Sequence, residues 1–233
     1  MTDSVPHILY EDNHIILVNK QVSDLVQGDK TGDLSLDKIL KNFLKKKYNK
    51  PGNVFLGVTH RLDRPVSGVV LFAKTSKALA RINKAFHDKK VSKIYWAIVK
   101  QKPPRKQDRL IHYLYRNQKK NKSFAYKEPR DNTKEAILDY TLLAGSENYY
   151  LLEVELHTGR HHQIRAQLAA IGCPIKGDLK YGFPRSNADG GISLHARKLS
   201  ITHPTRKEEI AFTADPPADK LWNHFLKEVK RKL

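Results

Sequence analysis

The stretch that most constrains the fold is residues 60–68, His-Arg-Leu-Asp-Arg-Pro-Val-Ser-Gly. It leads directly into the apolar run Val-Val-Leu-Phe-Ala, which predicts a buried strand over residues 68–74. Pro65 and Gly68 interrupt regular structure just before that strand. The sequence therefore predicts a loop between strands that ends in a sharp bend into a sheet.

Asp63 is the centre of this loop, with Arg61 and Arg64 as close neighbours. Nearby positive charge favours the carboxylate form and lowers its pKa. An ionised carboxylate can attack a sugar or an electrophilic ring carbon as a nucleophile. A structural ion pair would need the same three residues. The loop alone therefore leaves the catalytic and the structural interpretation open.

The net charge indicates a polyanionic partner. The chain has 43 Lys and Arg against 24 Asp and Glu, a formal charge of +19, and such an excess attracts phosphates. A membrane surface is the main rival, but no basic amphipathic helix and no apolar run of about 18 residues is found. The single Cys173 allows no internal disulfide, as expected in a reducing cytoplasm. We expect no membrane partner and a monomer.

The order of predicted elements favours an α+β fold with a mixed, mainly antiparallel sheet flanked by helices. At 233 residues, we expect residues 1–233 to form a single domain, or one domain with two lobes sharing a sheet. The predicted strands cover 8–10, 15–18, 54–58, 93–99, 136–143, 149–156 and 192–201, and the predicted helices cover 36–48, 77–88, 161–171 and a segment starting at 215. Residues 20–34 are expected to form an exposed loop. Residues 100–135 are expected to form surface hairpins or loops.

A second polar stretch is Gly-Arg-His-His-Gln-Ile-Arg at residues 159–165. In the predicted helix His161 and Arg165 are four residues apart and share a face. Thr158 is placed to cap the helix, and Gly172 is placed to end it. Arg165 would border the apolar stripe and reach into a cleft, where it could hold a carboxylate or phosphate bidentately. Ordinary surface cations are the alternative interpretation.

Cofactor motifs are missing. The histidines at 157, 161 and 162 lack cysteine or carboxylate partners at a zinc-ligand spacing, so we expect no metal. No glycine-rich phosphate loop or dinucleotide fingerprint is present, which argues against a nucleotide cofactor. Tyr95 lies in a strand of β-branched and aromatic residues, where tyrosine is often a core residue.

Residues 60–68 resemble the catalytic motif of RNA pseudouridine synthases of the RluA type. The tyrosine strand at 93–99 and the motifs at 156–165 and 172–182 are similar to later motifs of that family, in the same order. Leu-His-Ala at 194–196 and the His-Pro after it complete the pattern. Lys20 is followed by Gln-Val-Ser-Asp where the family usually has Lys-Pro-x-Gly, which leaves the conformation of that loop open.

The resemblance implies a pseudouridine synthase-like fold with a central catalytic cleft, and the isomerisation of uridine in ribosomal or transfer RNA to pseudouridine after base flipping. Asp63 would be the nucleophile, attacking C1′ with a glycal intermediate. Tyr95 would stack on the target base and take the C2′ proton, and Arg165 would pair with Asp63. Arg61 would enter the space left by the flipped nucleotide. The full set assigned to RNA or substrate binding is His60, Arg61, Arg64, Arg160, His162, Gln163 and Leu194, the last of which would pack against the uracil. No cofactor is implied, and no room is expected for an N-terminal S4-like domain.

Two other functions remain open from the residues alone. A non-catalytic RNA-binding or ribosome-assembly factor could retain this fold, although the intact Asp63, Tyr95 and Arg165 argue against it. An acid–base ribonuclease could use His60 or His161. Chain cleavage would identify the ribonuclease, because isomerisation leaves the RNA backbone whole.

Overall fold

The computed structural model describes residues 6–29 and 32–231. The chain divides into two compact units. The first is Met1–Val91 with Arg197–Asp215, and the second is Ser92–Ala196 with Pro216–Leu233. The assignment of residues 1–233 to a single catalytic domain stays a prediction.

Strands dominate both units. The strands are β1 (Ile8–Glu11), β2 (Ile15–Lys20), β3 (Gly57–Val58), β4 (Ser67–Ala73), β5 (Ser92–Val99), β6 (Gln107–Asn117), β7 (Lys122–Tyr126), β8 (Thr133–Gly145), β9 (Tyr150–Leu156), β10 (Leu194–Thr202) and β11 (Glu209–Thr213). The helices are α1 (Leu36–Lys47), α2 (Ser76–His87), α3 (Gln163–Ala170) and α4 (Lys220–Lys230), with a short 3-10 helix at Leu179–Tyr181. The predicted α+β class with a mixed, mainly antiparallel sheet is confirmed.

The first unit is built on β2 and β4, which are buried along their whole length. They pair antiparallel from Ile15↔Ala73 to Lys20↔Gly68, and the strand order around them is β1-β2-β4-β10. β3 pairs with β4, and β11 pairs with β10. A continuous apolar run is typical of a strand covered on both faces, which is why this strand pair forms the core of the unit.

Helix α2 begins at Ser76, one residue before the predicted start, because the Thr75 hydroxyl accepts a hydrogen bond from the Ala78 N–H at 3.1 Å. Its buried residues Ala78 and Ile82 join the core of the first unit. Helix α1 begins at Leu36 as predicted, but Ser35, which was expected to cap it, does not. Ser35 has an extended N-cap backbone, but its hydroxyl donates to Asp37 Oδ1 at 2.5 Å instead of capping the helix.

The second unit has the strand order β10-β5-β9-β8-β6-β7, with the first three residues of β10 at its edge. The pairs β5–β9, β9–β8, β8–β6 and β6–β7 are all antiparallel. Helix α4 covers one part of this sheet, since Trp222 and Phe225 pack with Trp96, Ile98 and Leu151. Asp219 caps α4 by accepting from the N–H groups of Leu221 and Trp222, both at 2.8 Å.

Several predicted boundaries were wrong. The strand predicted over 54–58 is reduced to Gly57–Val58, and α4 begins five residues after the predicted position 215. β6 and β7 are regular strands within the segment predicted as hairpins or loops. β11 was not predicted. The loop after β2 is not exposed throughout, because Lys20, Leu25 and Val26 are buried; positions 30 and 31 lie outside the described residues.

Candidate active site

The first half of the Asp63 loop is fastened to β4 by side chains. The Thr59 hydroxyl donates to the Leu71 carbonyl at 2.7 Å. The Leu71 N–H donates to His60 Nε2 at 3.1 Å, so this ring nitrogen carries a lone pair and not a proton. The His60 ring also packs against Phe86 at a centroid distance of 5.2 Å. The imidazole is therefore used in positioning the loop.

The second half of the loop is a turn that presents Asp63. The Val66 N–H donates to the Asp63 carbonyl at 3.0 Å, and Gly68 has a φ of +121°, a conformation that a β-carbon disfavours. The Asp63 side chain is half-buried, whereas Arg61 and Arg64 are exposed. Arg64 Nη2 lies 2.8 Å from Asp33 Oδ2, with both side chains about half exposed. That ion pair contributes little stability.

The Lys20 side chain holds the Asp63 turn in place by hydrogen bonds to its backbone. The side chain is fully buried at the end of β2, and Nζ donates to three backbone carbonyls. The acceptors are those of Gln21 at 2.9 Å, Arg64 at 3.0 Å and Val66 at 2.6 Å. Two of these carbonyls, one and three residues after Asp63, belong to its turn. The lysine thus replaces the backbone partners that a tight loop cannot supply for itself.

Burial lowers the pKa of Lys20 to about 8, and the carboxylates of Asp24 and Asp63 partly offset this effect. The Asp63 carboxylate therefore favours the charged form of the Lys20 ammonium. This ammonium was not among the predicted site residues. A lysine closing the apolar run Ile-Ile-Leu-Val-Asn is the sequence signal that identifies it.

A cavity of about 350 Å³ lies beside the loop within the first unit. Its walls include Thr59, His60 and Arg61 from the loop and Asp37 and Lys41 from α1. Lys41 Nζ lies 3.6 Å from Asp37 Oδ2, which balances part of the positive charge. Arg61 thus borders a space large enough for a polar ligand, and its role at the flipped nucleotide stays a prediction.

In the second unit, Tyr95 lies in the middle of β5 opposite Val154 and is 8% exposed. Leu194 opens β10 and is buried. Both side chains are fixed by the sheet, so a ligand reaching them would meet a pre-formed surface.

Arg165 is buried in α3 and is held by Asp178. Nε donates to Asp178 Oδ2 at 2.6 Å, and Nη2 donates to Oδ1 at 2.9 Å. Such a bidentate pair fixes the plane of the guanidinium as well as its position. The Arg165 Cζ also lies 5.1 Å from the centroid of the Tyr181 ring. Asp178 and Tyr181 entered the sequence prediction only as parts of a motif, because nothing local links them to Arg165, which is 13 positions before Asp178.

The predicted shared face of His161 and Arg165 was wrong, because α3 begins only at Gln163. His162 precedes it in a left-handed conformation with a φ of 52°, and its Nδ1 lies 3.0 Å from the Tyr181 hydroxyl. His161 stacks on His162 at 3.8 Å, and its two ring nitrogens contact Ser123 and Asn121. These contacts do not favour His161 as a ribonuclease base. Gly172, with a φ of +77°, follows the helix as predicted.

Gln163 and Arg160 stabilise the turn before α3. Gln163 Oε1 accepts from the Thr158 hydroxyl at 2.8 Å and from the Arg160 N–H at 3.0 Å, and its Nε2 donates to the Ile137 carbonyl. Thr158 was predicted to cap α3. Its hydroxyl instead bonds to Gln163, so that prediction was wrong. Arg160 Nε donates to the Glu135 carbonyl at 2.9 Å. Roles of these side chains in RNA binding stay predictions, and the buried Gln163 would act through the turn that it supports.

Within residues 6–29 and 32–231, no group of three or more His, Cys, Asp or Glu side chains is arranged to hold a metal ion. None of the helices in these ranges is long and apolar enough to cross a membrane.

Comparison with known proteins identifies the family. The family described as RNA pseudouridylate synthase matches residues 14–170. The ribosomal large subunit pseudouridine synthase C of Rickettsia typhi is 34% identical over 219 residues, covering 91% of this chain and 68% of the relative. An uncharacterized RNA pseudouridine synthase of Aquifex aeolicus is 31% identical over 229 residues, covering 92% and 71%.

The solved structure of human RNA pseudouridylate synthase domain containing 4 has the same fold, with a TM-score of 0.77 and 24% identity over 96% of this chain and 92% of that one. This chain belongs to the RNA pseudouridylate synthase family, whose members are isomerases that convert uridine in RNA to pseudouridine. The predicted family and the predicted pseudouridine synthase-like fold are confirmed.

Proposed function

We propose that this chain isomerises specific uridines of structured ribosomal RNA, with Asp63 as the nucleophile. The observation that carries the proposal is the fixing of the Asp63 turn by the buried ammonium of Lys20, in the part of the chain that matches the family. Positioning a carboxylate so firmly on a strongly basic chain suits a reaction on a polyanion. Ribosomal RNA is favoured over transfer RNA because the Rickettsia typhi relative is named for the large ribosomal subunit.

The proposed reaction breaks the bond between N1 of uracil and C1′ of ribose and forms a bond between C5 and C1′. Asp63 attacks C1′ of the flipped nucleotide and displaces uracil, whose N1 keeps the bonding electrons. A base then removes the C2′ proton as the bond between Asp63 and C1′ breaks, which gives a glycal. The detached uracil turns, C5 bonds to C1′ of the glycal as the base returns the proton to C2′, and the C5 proton is lost to solvent while N1 takes up a proton. The RNA backbone is not cut, and neither oxidant nor reductant is consumed.

The other roles follow the family resemblance. Tyr95 is proposed to stack on the target base and to accept the C2′ proton, and Arg165 to keep the Asp63 carboxylate ionised. Arg61 is proposed to occupy the space that the flipped nucleotide leaves, at a cost of a few kcal/mol for unstacking. Phosphate contacts with the basic surface, including Arg64 and Arg160, offset that cost. We further propose a cytoplasmic monomer.

The test uses RNA carrying tritium at C5 of uridine, because the isomerisation releases that hydrogen to solvent. The wild-type chain should release tritium from a ribosomal RNA substrate, whereas Asp63→Asn should release none and should bind the RNA with a Kd within about threefold of wild type. Asp33→Asn is the matched control, since it removes a nearby carboxylate that is paired at the surface. Full activity in Asp63→Asn would refute the assigned mechanism. Shortened RNA would instead indicate a ribonuclease.

A further inference from the structure

The strands β6, β7 and β8 expose an aromatic sheet face in the second unit that has no assigned role. Along β6, Leu110, His112 and Leu114 are buried, whereas Ile111 is 49% and Tyr115 37% exposed. Because successive side chains of a strand point to opposite faces, one face of β6 is covered and the other faces solvent. The covered face packs against α3, where Gln167 Nε2 donates to the Leu110 carbonyl at 3.1 Å.

The exposed face is continuous across three strands. Residues directly opposite each other on paired strands share a face, and the register places Tyr113 opposite Tyr126, Tyr115 opposite Phe124, and Ile111 opposite Ile137. We call these residues the aromatic face: Ile111, Tyr113, Tyr115, Phe124, Tyr126 and Ile137. Tyr115 and Ile111 are exposed, and the Tyr113, Phe124 and Tyr126 rings beside them are half-buried. A contiguous apolar patch in contact with water indicates a ligand.

Cations lie beside this face, together with the exposed Glu135 carboxylate opposite Tyr113. Lys122 Nζ lies 5.6 Å from the centroid of the Phe124 ring, and Arg130 Cζ lies 4.1 Å from the centroid of the Tyr126 ring. Residues 116–135 contain seven Lys and Arg against three Asp and Glu. The nearby Asp139 carboxylate is bound by Arg109 Nε at 2.7 Å and Nη2 at 2.8 Å, so its charge is largely balanced.

We propose that the aromatic face binds unpaired nucleotides of the RNA, by stacking bases on its rings while the neighbouring cations contact phosphates. Aromatic rings interleaved with lysine and arginine on an open sheet are the physical basis of single-strand binding. A protein interface would be expected to be poor in lysine at this position. Neighbouring rings on one strand are about 7 Å apart, roughly twice the rise per nucleotide of a stacked strand, so the bound segment must be extended or engage every second base.

The aromatic face is distinct from the surface that carries Tyr95. Tyr95 pairs with Val154 and Val154 with Tyr140. These three residues are on the same side of the sheet as Leu138 and Leu110, which α3 covers. The inference rests on the proposed function for the identity of the RNA. It adds a second contact that holds an unpaired segment of the same substrate.

The test measures binding of a fluorescein-labelled, 12-nucleotide single-stranded RNA of mixed sequence, free and annealed to its complement. We expect the double variant Tyr115→Ala with Phe124→Ala to bind the single strand roughly tenfold or more weakly, equivalent to about 1.4 kcal/mol. Binding of the duplex should change by less than twofold. The slope of log Kd against log salt should stay that of wild type, because no cation has been removed.

Two single variants separate stacking from hydrophobic contact. Tyr115→Trp should keep the affinity for the single strand. Tyr115→Leu should weaken single-strand binding about as much as Tyr115→Ala does. Both replace a partly exposed side chain, so they also provide a test in which folding is preserved. Unchanged single-strand affinity in Tyr115→Leu and in the double variant would overturn the proposal.

Sedimentation velocity tests the alternative occupant. If wild type is a dimer that the double variant converts to a monomer with RNA affinity unchanged, the face joins two copies of this chain and the proposal is wrong. Failure of the proposed function gives a different pattern. In that case wild type releases no tritium from any RNA, while the variants still show the predicted losses of single-strand affinity.

Discussion

Arg165 and Asp178 form a buried bidentate ion pair, with N–O distances of 2.6 and 2.9 Å and both side chains almost inaccessible to solvent. The pair joins α3 to the turn that precedes the 3-10 helix. Removing one partner of a buried ion pair lowers stability strongly, because the remaining charge stays buried without a counter-charge and without water. Asp178 therefore fixes the position of the Arg165 guanidinium, for which a catalytic role is proposed.

We predict that Asp178→Asn lowers the free energy of unfolding by roughly 2–4 kcal/mol. It should also lower kcat for tritium release at least tenfold, with a smaller change in KM, because Arg165 loses its fixed orientation. Urea denaturation and steady-state kinetics measure the two effects. Asp178→Glu keeps the charge and should recover part of kcat, which a purely structural role would not require.

The surface pair of Arg109 and Asp139 provides the matched control, since its bidentate distances of 2.7 and 2.8 Å are similar. The Arg109 side chain is 59% exposed, so Asp139→Asn should cost no more than about 1 kcal/mol. Equal losses of unfolding free energy in Asp178→Asn and Asp139→Asn would show that burial does not determine how much such an ion pair contributes to stability.

Lys20 makes the second prediction, which concerns the shape of the Asp63 turn. Lys20→Met removes three hydrogen bonds to backbone carbonyls and should lower kcat more than tenfold. Lys74→Met is the control. The Lys74 side chain is only 8% exposed and is bonded to Glu11 and to the Asp12 carbonyl, so its loss should reduce stability but leave kcat within about twofold. A similar kcat loss in both variants would show that general destabilisation explains the effect.

The pH dependence of Lys20 is a third prediction. The folded pKa of about 8 lies below the ordinary value of 10.5, so the unfolded chain binds this proton more tightly between pH 8 and 10.5. The contribution of Lys20 to stability therefore rises with pH in this window. Activity should fall over the same window, because deprotonation removes the ammonium from the vicinity of the Asp63 carboxylate. Opposite trends in kcat and in the urea midpoint, both absent in Lys20→Met, would support this assignment.

The Asp63 loop and the strand after it could be predicted from the sequence because their signals are local. Continuous apolar residues, a proline and a glycine specify the bend before β4, and the threonine cap specifies the start of α2. The partner of Arg165 could not be predicted, since Asp178 is brought to it by tertiary structure. The left-handed conformation of His162, which makes α3 begin later than predicted, also depends on tertiary structure, because His162 contacts Tyr181.

The strand β6 was predicted only as part of surface hairpins or loops, and its bounds could not be given for a different reason. Its outward face carries Ile111, Tyr113 and Tyr115 among charged residues, so the segment lacks the simple alternation of apolar and polar side chains that indicates a half-buried strand. Both faces are partly apolar, and only one is covered by the protein. The apolar side chains on the outward face made this strand difficult to predict, and the proposed RNA contact would explain why they are there.

Glu11 makes the last prediction, which concerns stability in acid. Burial acts to raise the pKa of Glu11, but hydrogen bonds from Lys47, Lys74 and Tyr48 outweigh it and bring the pKa from 4.5 to about 2. Because the folded value is the lower one, the stabilisation is complete above pH 4.5 and is lost as the pH falls towards 2. Glu11→Gln should lower the free energy of unfolding by about 1–2 kcal/mol at pH 7 and flatten its decline below pH 4.5. Urea denaturation at pH 7, 4.5 and 3 measures both, with the exposed Glu208→Gln as a control expected to show neither. An unchanged acid slope in Glu11→Gln would place the acid sensitivity elsewhere in the molecule.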